Sequence, residues 1–178
     1  MVELILGLIT MQIVVTSSNL VVPVTQAFKV VFPSKKPTIT EVMTSSGSPQ
    51  RQLVGMQSGI EGAENRLIEV LESLNRGSQK VDVVIAVESY IEYKLNSCGL
   101  YQYIIVYFPT KQTKLETFPD GIILPHEYYQ AAKQRGFKYC TVEDYIAKGN
   151  KPLYLELLNK HQKNLVKALT LLIKKPNL

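Results

Sequence analysis

One carboxylate and one arginine are the side chains with the clearest chemical potential in this sequence. Glu88 ends an apolar run that begins at Val81 and is typical of a strand buried on both faces, so the strand would deliver the carboxylate to a sheet edge. Arg66 lies in a helical pattern, where it could contact a phosphate or pair with an acidic side chain. Glu88 could either bind a metal or pair with Arg66, and the ion pair is slightly favoured.

A polar turn, Thr16–Asn19, is the second candidate site. It follows a short β-branched run and precedes an apolar helical stripe that ends at Pro33. Ser18 or Asn19 is therefore predicted to cap that helix, and the start of a helix offers backbone N–H groups and a positive dipole end to an anion. The turn could bind a phosphate or simply cap the helix, and the sequence favours neither interpretation.

Two histidines and two cysteines complete the candidates. His161 lies on the C-terminal helix among lysines, where a half-exposed histidine is the expected state, and His126 follows a proline at a helix start. Cys98 and Cys140 have no nearby base in the sequence and are predicted to be inert thiols. These numbers are too small for a disulfide scaffold, a cysteine-based zinc finger or a histidine-rich metal site.

The composition is that of one folded domain. The chain has 178 residues, of which 46% are hydrophobic and 20% charged, enough apolar material for a continuous core. We expect residues 1–10 to form an N-terminal extension or an extra strand, and residues 11–178 to form a single domain. The net charge of +5 comes from small scattered groups, so a solvated surface is favoured and no specific nucleic-acid binding is expected.

The apolar start of the chain predicts neither a secretion signal nor a membrane span. Glu3 is the first charged residue, and no small-residue cleavage site follows it. Polar residues between Thr10 and Pro23 interrupt the segment before about twenty apolar residues accumulate. We therefore expect a soluble, intracellular and cytoplasmic protein.

Alternating strand and helix patterns predict an α/β domain with a central twisted mixed sheet flanked by helices. Gly62 interrupts the longest amphipathic pattern, which predicts a close packing contact at that position. The predicted strands are residues 11–16, 38–43, 81–88, 101–108 and 114–118. The predicted helices are the one ended by Pro33 and residues 56–75, 125–134 and 152–174, and residues 142–148 are predicted to form a short helix or a turn.

Three segments in this order resemble one enzyme family. They are IVVTSSN at the first strand, the block from Gln52 to Arg66 (Q-x-x-G-x6-G-A-x-N-R), and IAVESYI around Glu88. Together they are similar to the inosine/xanthosine triphosphatases, which remove pyrophosphate from non-canonical purine nucleoside triphosphates with a divalent metal. The resemblance spans residues 11 to 175 and implies that family's fold, with the sheet and helices around a cleft.

The resemblance also implies roles for particular residues. Glu88 would be the catalytic residue and the ligand of Mg²⁺, which takes oxygen ligands. A purine nucleotide would be the ligand, and the family's enzymes are typically dimers, which is the ground for expecting a homodimer. The implied substrate-binding positions are Thr16, Ser18, Asn19, Arg66 and His161.

The sequence departs from the family's motifs at three positions. Two of them are charged residues in the family, and the third is a glycine there. The lysine that follows the polar turn in the family is missing, since the first lysine after it is Lys29. Ser58 stands where the family has a metal-binding glutamate, and Tyr90 stands where it has a glycine. Tyr90 is expected to fill space that a substrate would need.

A non-catalytic branch of the same superfamily looks similar to this sequence. It is the C-terminal domain of the eukaryotic proline-rich coiled-coil proteins. That branch shares the paired serines of the turn, the glycine–arginine block without its glutamate, and the V-E-x-aromatic-I segment at Val87 to Ile91. The leading prediction is therefore a degenerate domain that acts as a binding or scaffold module for a protein partner, without a cofactor. The alternative is a Mg²⁺-dependent hydrolase of ITP or XTP.

Overall fold

A computed structural model describes residues 10–77 and 80–174 of the chain. The predicted N-terminal extension, residues 1–10, falls almost entirely outside these ranges. Within them, no helix is both long and apolar enough to cross a membrane.

Seven strands in the described residues form one mixed sheet with helices on both faces. The strands are β1 (Thr10–Val15), β2 (Lys36–Glu41), β3 (Leu53–Val54), β4 (Val83–Lys94), β5 (Ser97–Phe108), β6 (Thr113–Thr117) and β7 (Ile122–Leu124). The helices are α1 (Val21–Val31), α2 (Met56–Arg76), α3 (His126–Arg135), α4 (Val142–Gly149) and α5 (Lys151–Ile173). The predicted α/β class and the central mixed sheet are confirmed.

The strand order β2-β1-β4-β5-β6 makes the sheet parallel on one side and antiparallel on the other. β1 pairs in parallel with both β2 and β4, and the chain reaches β2 through α1 but reaches β4 through α2. Because crossovers between parallel strands are right-handed, two connections that leave in opposite directions place their helices on opposite faces. The strand order therefore reverses direction at β1.

The core has three parts that follow from this arrangement. α1 and α5 pack on one face of the sheet, and α2 packs on the other. α3 and α4 enclose a third cluster around the far halves of β4 and β5, which includes both cysteines. Burial raises the pKa of Cys98 to about 11, which agrees with the predicted inert thiol.

β4 is longer than the predicted strand. It continues past Glu88 to Lys94 and forms a hairpin with β5, in which Leu95 and Asn96 adopt the left-handed conformation. The prediction that the strand ends at Glu88 is therefore wrong, because the ladder with β5 continues as far as the Lys94–Ser97 pair. Glu88 lies in the middle of a strand, opposite Tyr103.

Two glycines let α2 lie directly on β4. A Cβ atom on Gly59 would overlap the ring of Tyr90, and one on Gly62 would lie 2.8 Å from Cγ of Glu88. Both helix positions are buried, and so is Tyr90. The predicted close contact at Gly62 is confirmed, and Glu88 is the residue that makes it.

We expect Gly59→Ala to lower the free energy of unfolding by about 1–2 kcal/mol. Alanine gains about 1 kcal/mol of helix propensity, but the overlap with the ring of buried Tyr90 costs about 2–3 kcal/mol, the upper part of the range for overpacking. Gly77→Ala is the matched control, because its Cβ would have its nearest neighbour at 3.8 Å. Urea unfolding followed by circular dichroism measures both variants. Equal stability of Gly59→Ala and the wild type would contradict the close contact.

Candidate functional site

The candidate site is a cleft at the point where the strand order reverses. β1 ends at Val15, which pairs with Ile85, and β3 joins the same edge of β4 only at Tyr90. Between these pairings, residues 86–89 have no neighbouring strand on that side in the described part of the sheet. Ligands of open α/β sheets bind outside the carboxyl ends of strands at such a switch point.

The cleft has a volume of about 210 Å³ and is lined by both polar and apolar side chains. Its walls come from the polar turn, α2, the open stretch of β4, the facing part of β5, α4 and α5. The polar lining residues are Ser17, Asn19, Arg66, Glu88, Ser89, Gln102, Glu143, Tyr154, His161 and Gln162, and the apolar ones are Leu20, Val87, Leu158 and Leu165.

An ion pair between Arg66 and Glu88 crosses one end of this cleft. Arg66 Nε donates to Glu88 Oε2 at 2.8 Å, and the backbone N–H of Ser89 donates to Oε1 at 2.9 Å. The two side chains are only 20% and 12% exposed, so the pair is partly desolvated. Arg66 Nη1 also donates to the carbonyl oxygen of Thr44. The favoured interpretation of Glu88, the partner of Arg66, is confirmed.

The other positions of the glycine–arginine block hold the surrounding backbone. Gln52 is 3% exposed, and its Oε1 accepts from the N–H of Val142 at the start of α4. Gly55 precedes α2 with a φ of 86°, a conformation that favours glycine. Asn65 Nδ2 donates to the carbonyl oxygen of Ser46. Each of these residues has a structural role without any ligand.

The polar turn lies at the cleft but does not cap α1 as predicted. Residues Ser18–Leu20 form a 3₁₀ turn, and Leu20 occupies the N-cap position of α1. The prediction that Ser18 or Asn19 caps the helix is wrong, because the extra turn moves the helix start beyond both residues. Thr16 is buried at 1% exposure, and its hydroxyl has no hydrogen-bond partner among the described residues.

Of the predicted site residues, the structure brings Asn19, Arg66, Glu88 and His161 to one cleft. Thr16 adjoins the cleft without lining it, and only the backbone of Ser18 is described. His161 projects from α5, and its buried Nε2 has no hydrogen-bond partner within residues 10–77 and 80–174. Burial lowers the pKa of His161 to about 4, so this imidazole is neutral at physiological pH.

No motif in the sequence pointed to Glu143, Gln102 or Tyr154, all of which line the cleft. Burial, and then the charge of Asp144, raises the pKa of Glu143 to about 7. Thr141 and Asp144 form a capping box that begins α4, and this motif is the local signal that places Glu143 on the first turn. Its approach to the cleft depends on packing between distant segments.

Tyr90 does not occupy the cleft. Its ring lies on the opposite side of β4 from the wall formed by Val87, packed against Gly59 and stacked on Tyr101 at a centroid distance of 5.7 Å. Tyr90 shares the α2 face of β4 with Glu88, two residues before it, but its ring lies farther along the strand under Gly59 and does not line the cleft. The prediction that Tyr90 fills substrate space is therefore wrong for this cleft. The glycines of α2, not the cleft, make room for it.

The residues present do not fit the implied Mg²⁺ site. Both oxygens of Glu88 accept hydrogen bonds. Ser58, on the first turn of α2, donates from its Oγ to the carbonyl oxygen of Val54 in β3. Among the described residues, no group of three or more acidic, histidine or cysteine side chains could hold a metal ion. Mg²⁺ usually binds through carboxylates and keeps near-octahedral oxygen ligation.

A comparison with solved structures supports the α/β fold. The chain is similar to the crystal structure of protein VC0702 from Vibrio cholerae, with a TM-score of 0.72 and 20% sequence identity. The likeness covers 92% of this chain and 93% of that one. No protein-family profile matches the chain, and no curated protein matches it significantly in sequence.

We expect Arg66→Met to lower the free energy of unfolding by about 3 kcal/mol. The substitution leaves the Glu88 carboxylate desolvated and unpaired, a change that typically costs about 3–5 kcal/mol in a buried pair and less in a partly exposed one. Adding Glu88→Gln to this variant removes the isolated charge and should restore about half of the loss. A double-mutant cycle by urea unfolding measures the coupling.

Arg76→Met is the matched control on the same helix. Arg76 is 81% exposed and lies 3.9 Å from Glu72, so its loss should change stability by less than about 0.5 kcal/mol. Equal effects of the Arg66 and Arg76 substitutions would show that the ion pair does not organise the cleft.

We expect the stability difference between Glu143→Gln and the wild type to depend on pH. The folded protein binds this proton more tightly than the unfolded chain, because the pKa rises from 4.5 to about 7. The wild type therefore loses stability as pH rises through this window, while the variant does not. The variant should gain about 3 kcal/mol relative to the wild type between about pH 4.5 and about pH 8, since each pKa unit corresponds to about 1.4 kcal/mol.

His161→Gln should change the pH dependence in the opposite direction. The pKa of His161 falls from 6.5 to about 4 on folding, so the wild type gains stability as pH rises through that window. The variant lacks this gain and should lose ground to the wild type as pH rises. Urea unfolding across the pH range tests both variants, and slopes of the same sign would contradict the two assignments.

Proposed function

We propose that this chain is a non-catalytic binding module with a fold of the inosine/xanthosine triphosphatase type. The observation that carries the proposal is the state of the Glu88 carboxylate, whose two oxygens accept from Arg66 and from the N–H of Ser89. A carboxylate neutralised in this way stabilises the fold, and it has no free charge for a metal-bound triphosphate.

The fold assignment within this proposal has two supports. The three motif segments occur in the family's order, and each contributes at least one residue to the lining of one cleft at a switch point of the sheet. The likeness to VC0702 adds a shared α/β architecture over nearly the whole of both chains. Because one fold hosts many functions, the proposal for binding depends on the site itself.

The charges of the cleft also favour binding over phosphate hydrolysis. Arg66 is the one lysine or arginine among the described residues that line it, and its charge is balanced by Glu88. His161, which the resemblance assigns to the substrate, is neutral because burial lowers its pKa to about 4. Hydrolysis of a triphosphate requires positive groups that stabilise the developing charge, and we propose that this chain has lost them.

The alternative function is a Mg²⁺-dependent hydrolase of ITP or XTP. One observation favours it, because Asn19, Arg66, Glu88 and His161 line a single cleft of the described structure. For this function Glu88 would have to separate from Arg66 before it could accept another partner. The homodimer and the protein partner remain predictions from the resemblance.

We expect no Glu88-dependent release of pyrophosphate from ITP or XTP in the presence of Mg²⁺. The physical reason is the neutralised carboxylate together with the missing lysine after the polar turn. The assay compares the wild type with Glu88→Gln and with Glu92→Gln, a matched control on β4 that pairs with Lys94 away from the cleft. Turnover that disappears in Glu88→Gln and survives in Glu92→Gln would establish the alternative function.

A further inference from the structure

Two buried polar atoms of the cleft lining lack a hydrogen-bond partner among the described residues. Gln102 lies on β5 opposite Ser89 and is only 7% exposed, and its Oε1, an acceptor, is one of the two atoms. Nε2 of His161 is the other, and it accepts or donates according to the tautomer of the neutral ring. Buried polar groups are nearly always satisfied in folded proteins, so each exception calls for an explanation. A ligand that donates a hydrogen bond to Gln102 and exchanges one with His161 would satisfy both.

The electrostatic balance of the cleft restricts the charge of such a ligand. The positive charge of Arg66 is cancelled by Glu88, and burial keeps His161 in its neutral form. Glu143 adds a carboxyl group whose pKa, at about 7, leaves it partly protonated. A phosphate or carboxylate entering this cleft would lose hydration without gaining a free cation, which is unfavourable in a partly buried site.

The size and the walls of the cleft restrict the ligand further. Its volume of about 210 Å³ is smaller than the roughly 300–1,000 Å³ of pockets for drug-sized ligands, so it suits a single or fused ring. Tyr154, Leu158 and Leu165 contribute aromatic and apolar surface to the same lining as Gln102 and His161. Ligand pockets commonly combine apolar walls with a few well-placed polar groups in this way.

We propose that the cleft binds a small uncharged ring compound that donates a hydrogen bond from an amide or amino group to Gln102 and exchanges a second hydrogen bond with His161. The proposal rests on the binding role argued above and names the ligand class of that same site. It differs from the substrate class that the family resemblance implies, because it excludes the anionic phosphate group.

The test uses pairs of probes that share a ring and differ in charge. Calorimetric titration at about pH 7.5 compares nicotinamide with nicotinate, and adenosine with adenosine monophosphate. We expect the neutral member of at least one pair to bind at least tenfold more tightly than its anionic counterpart. Tighter binding of the anions, or no binding of either neutral probe, would overturn the proposal.

Gln102→Leu separates a ligand-binding role from a structural one. Leucine has a similar volume and removes the unpartnered acceptor, so Tm should stay level or rise, while affinity for the neutral probe falls at least tenfold. Gln134→Leu on the exposed face of α3 is the matched control and should change neither quantity. If Gln102→Leu folds poorly, His161→Leu removes the other unpartnered group, Nε2 of His161, and is tested by the same titration.

The outcomes for this proposal and for the proposed function are distinguishable. Unchanged affinity of the neutral probe in both Gln102→Leu and His161→Leu would overturn the ligand assignment, while the absence of Glu88-dependent turnover would still support a non-catalytic module. Glu88-dependent pyrophosphate release would overturn the non-catalytic function, whichever probe binds.

Discussion

The pairing of Arg66 with Glu88 joins three parts of the molecule that are distant in sequence. Arg66 comes from α2, Glu88 from the middle of β4, and the carbonyl group of Thr44 from the loop between β2 and β3. A guanidinium group suits this position because its planar array of donors can satisfy several acceptors at once. Gly62 allows the contact, because any larger residue would press against the side chain of Glu88. The pair therefore fixes the helix, the strand and the loop at one end of the cleft.

The cleft itself is a consequence of strand lengths and connections. β1 ends before β4 does, and β3 takes up the same edge only farther along, so part of β4 lacks a neighbouring strand in the described sheet. Helix α1, which follows β1, and helix α2, which follows β3, lie on opposite faces of the sheet, so they cannot close this opening. Side chains from α4 and α5 enclose the remaining sides. Any sequence with this topology would have such an opening, and its chemistry depends on the residues around it.

In this chain those residues are polar but nearly balanced in charge. The arginine is neutralised, the histidine is uncharged because it is buried, and Glu143 is held near its midpoint at neutral pH. Such a lining suits hydrogen bonding with an uncharged molecule better than the stabilisation of a polyanion. The unpartnered acceptor of Gln102 is consistent with a site that retains polar groups at some cost to stability. The proposed binding function therefore follows from the electrostatics of the cleft, whereas the fold is compatible with several activities.

The sequence by itself predicted the α/β class, five of the seven strands in the described residues and the bounds of α2 and α5 to within one residue, and it favoured the pairing of Arg66 with Glu88. These features can be predicted because they depend on local periodicity, on composition, and on charged residues that lie in clearly periodic helices and strands. The short strands β3 and β7 were not predicted. Only the tertiary structure showed that β4 continues past Glu88, that Tyr90 faces α2, and that Gln102 and Glu143 reach the cleft. The reason is that strand extension requires a partner ladder, and the direction of a side chain depends on register, both of which are set by contacts between segments far apart in the chain.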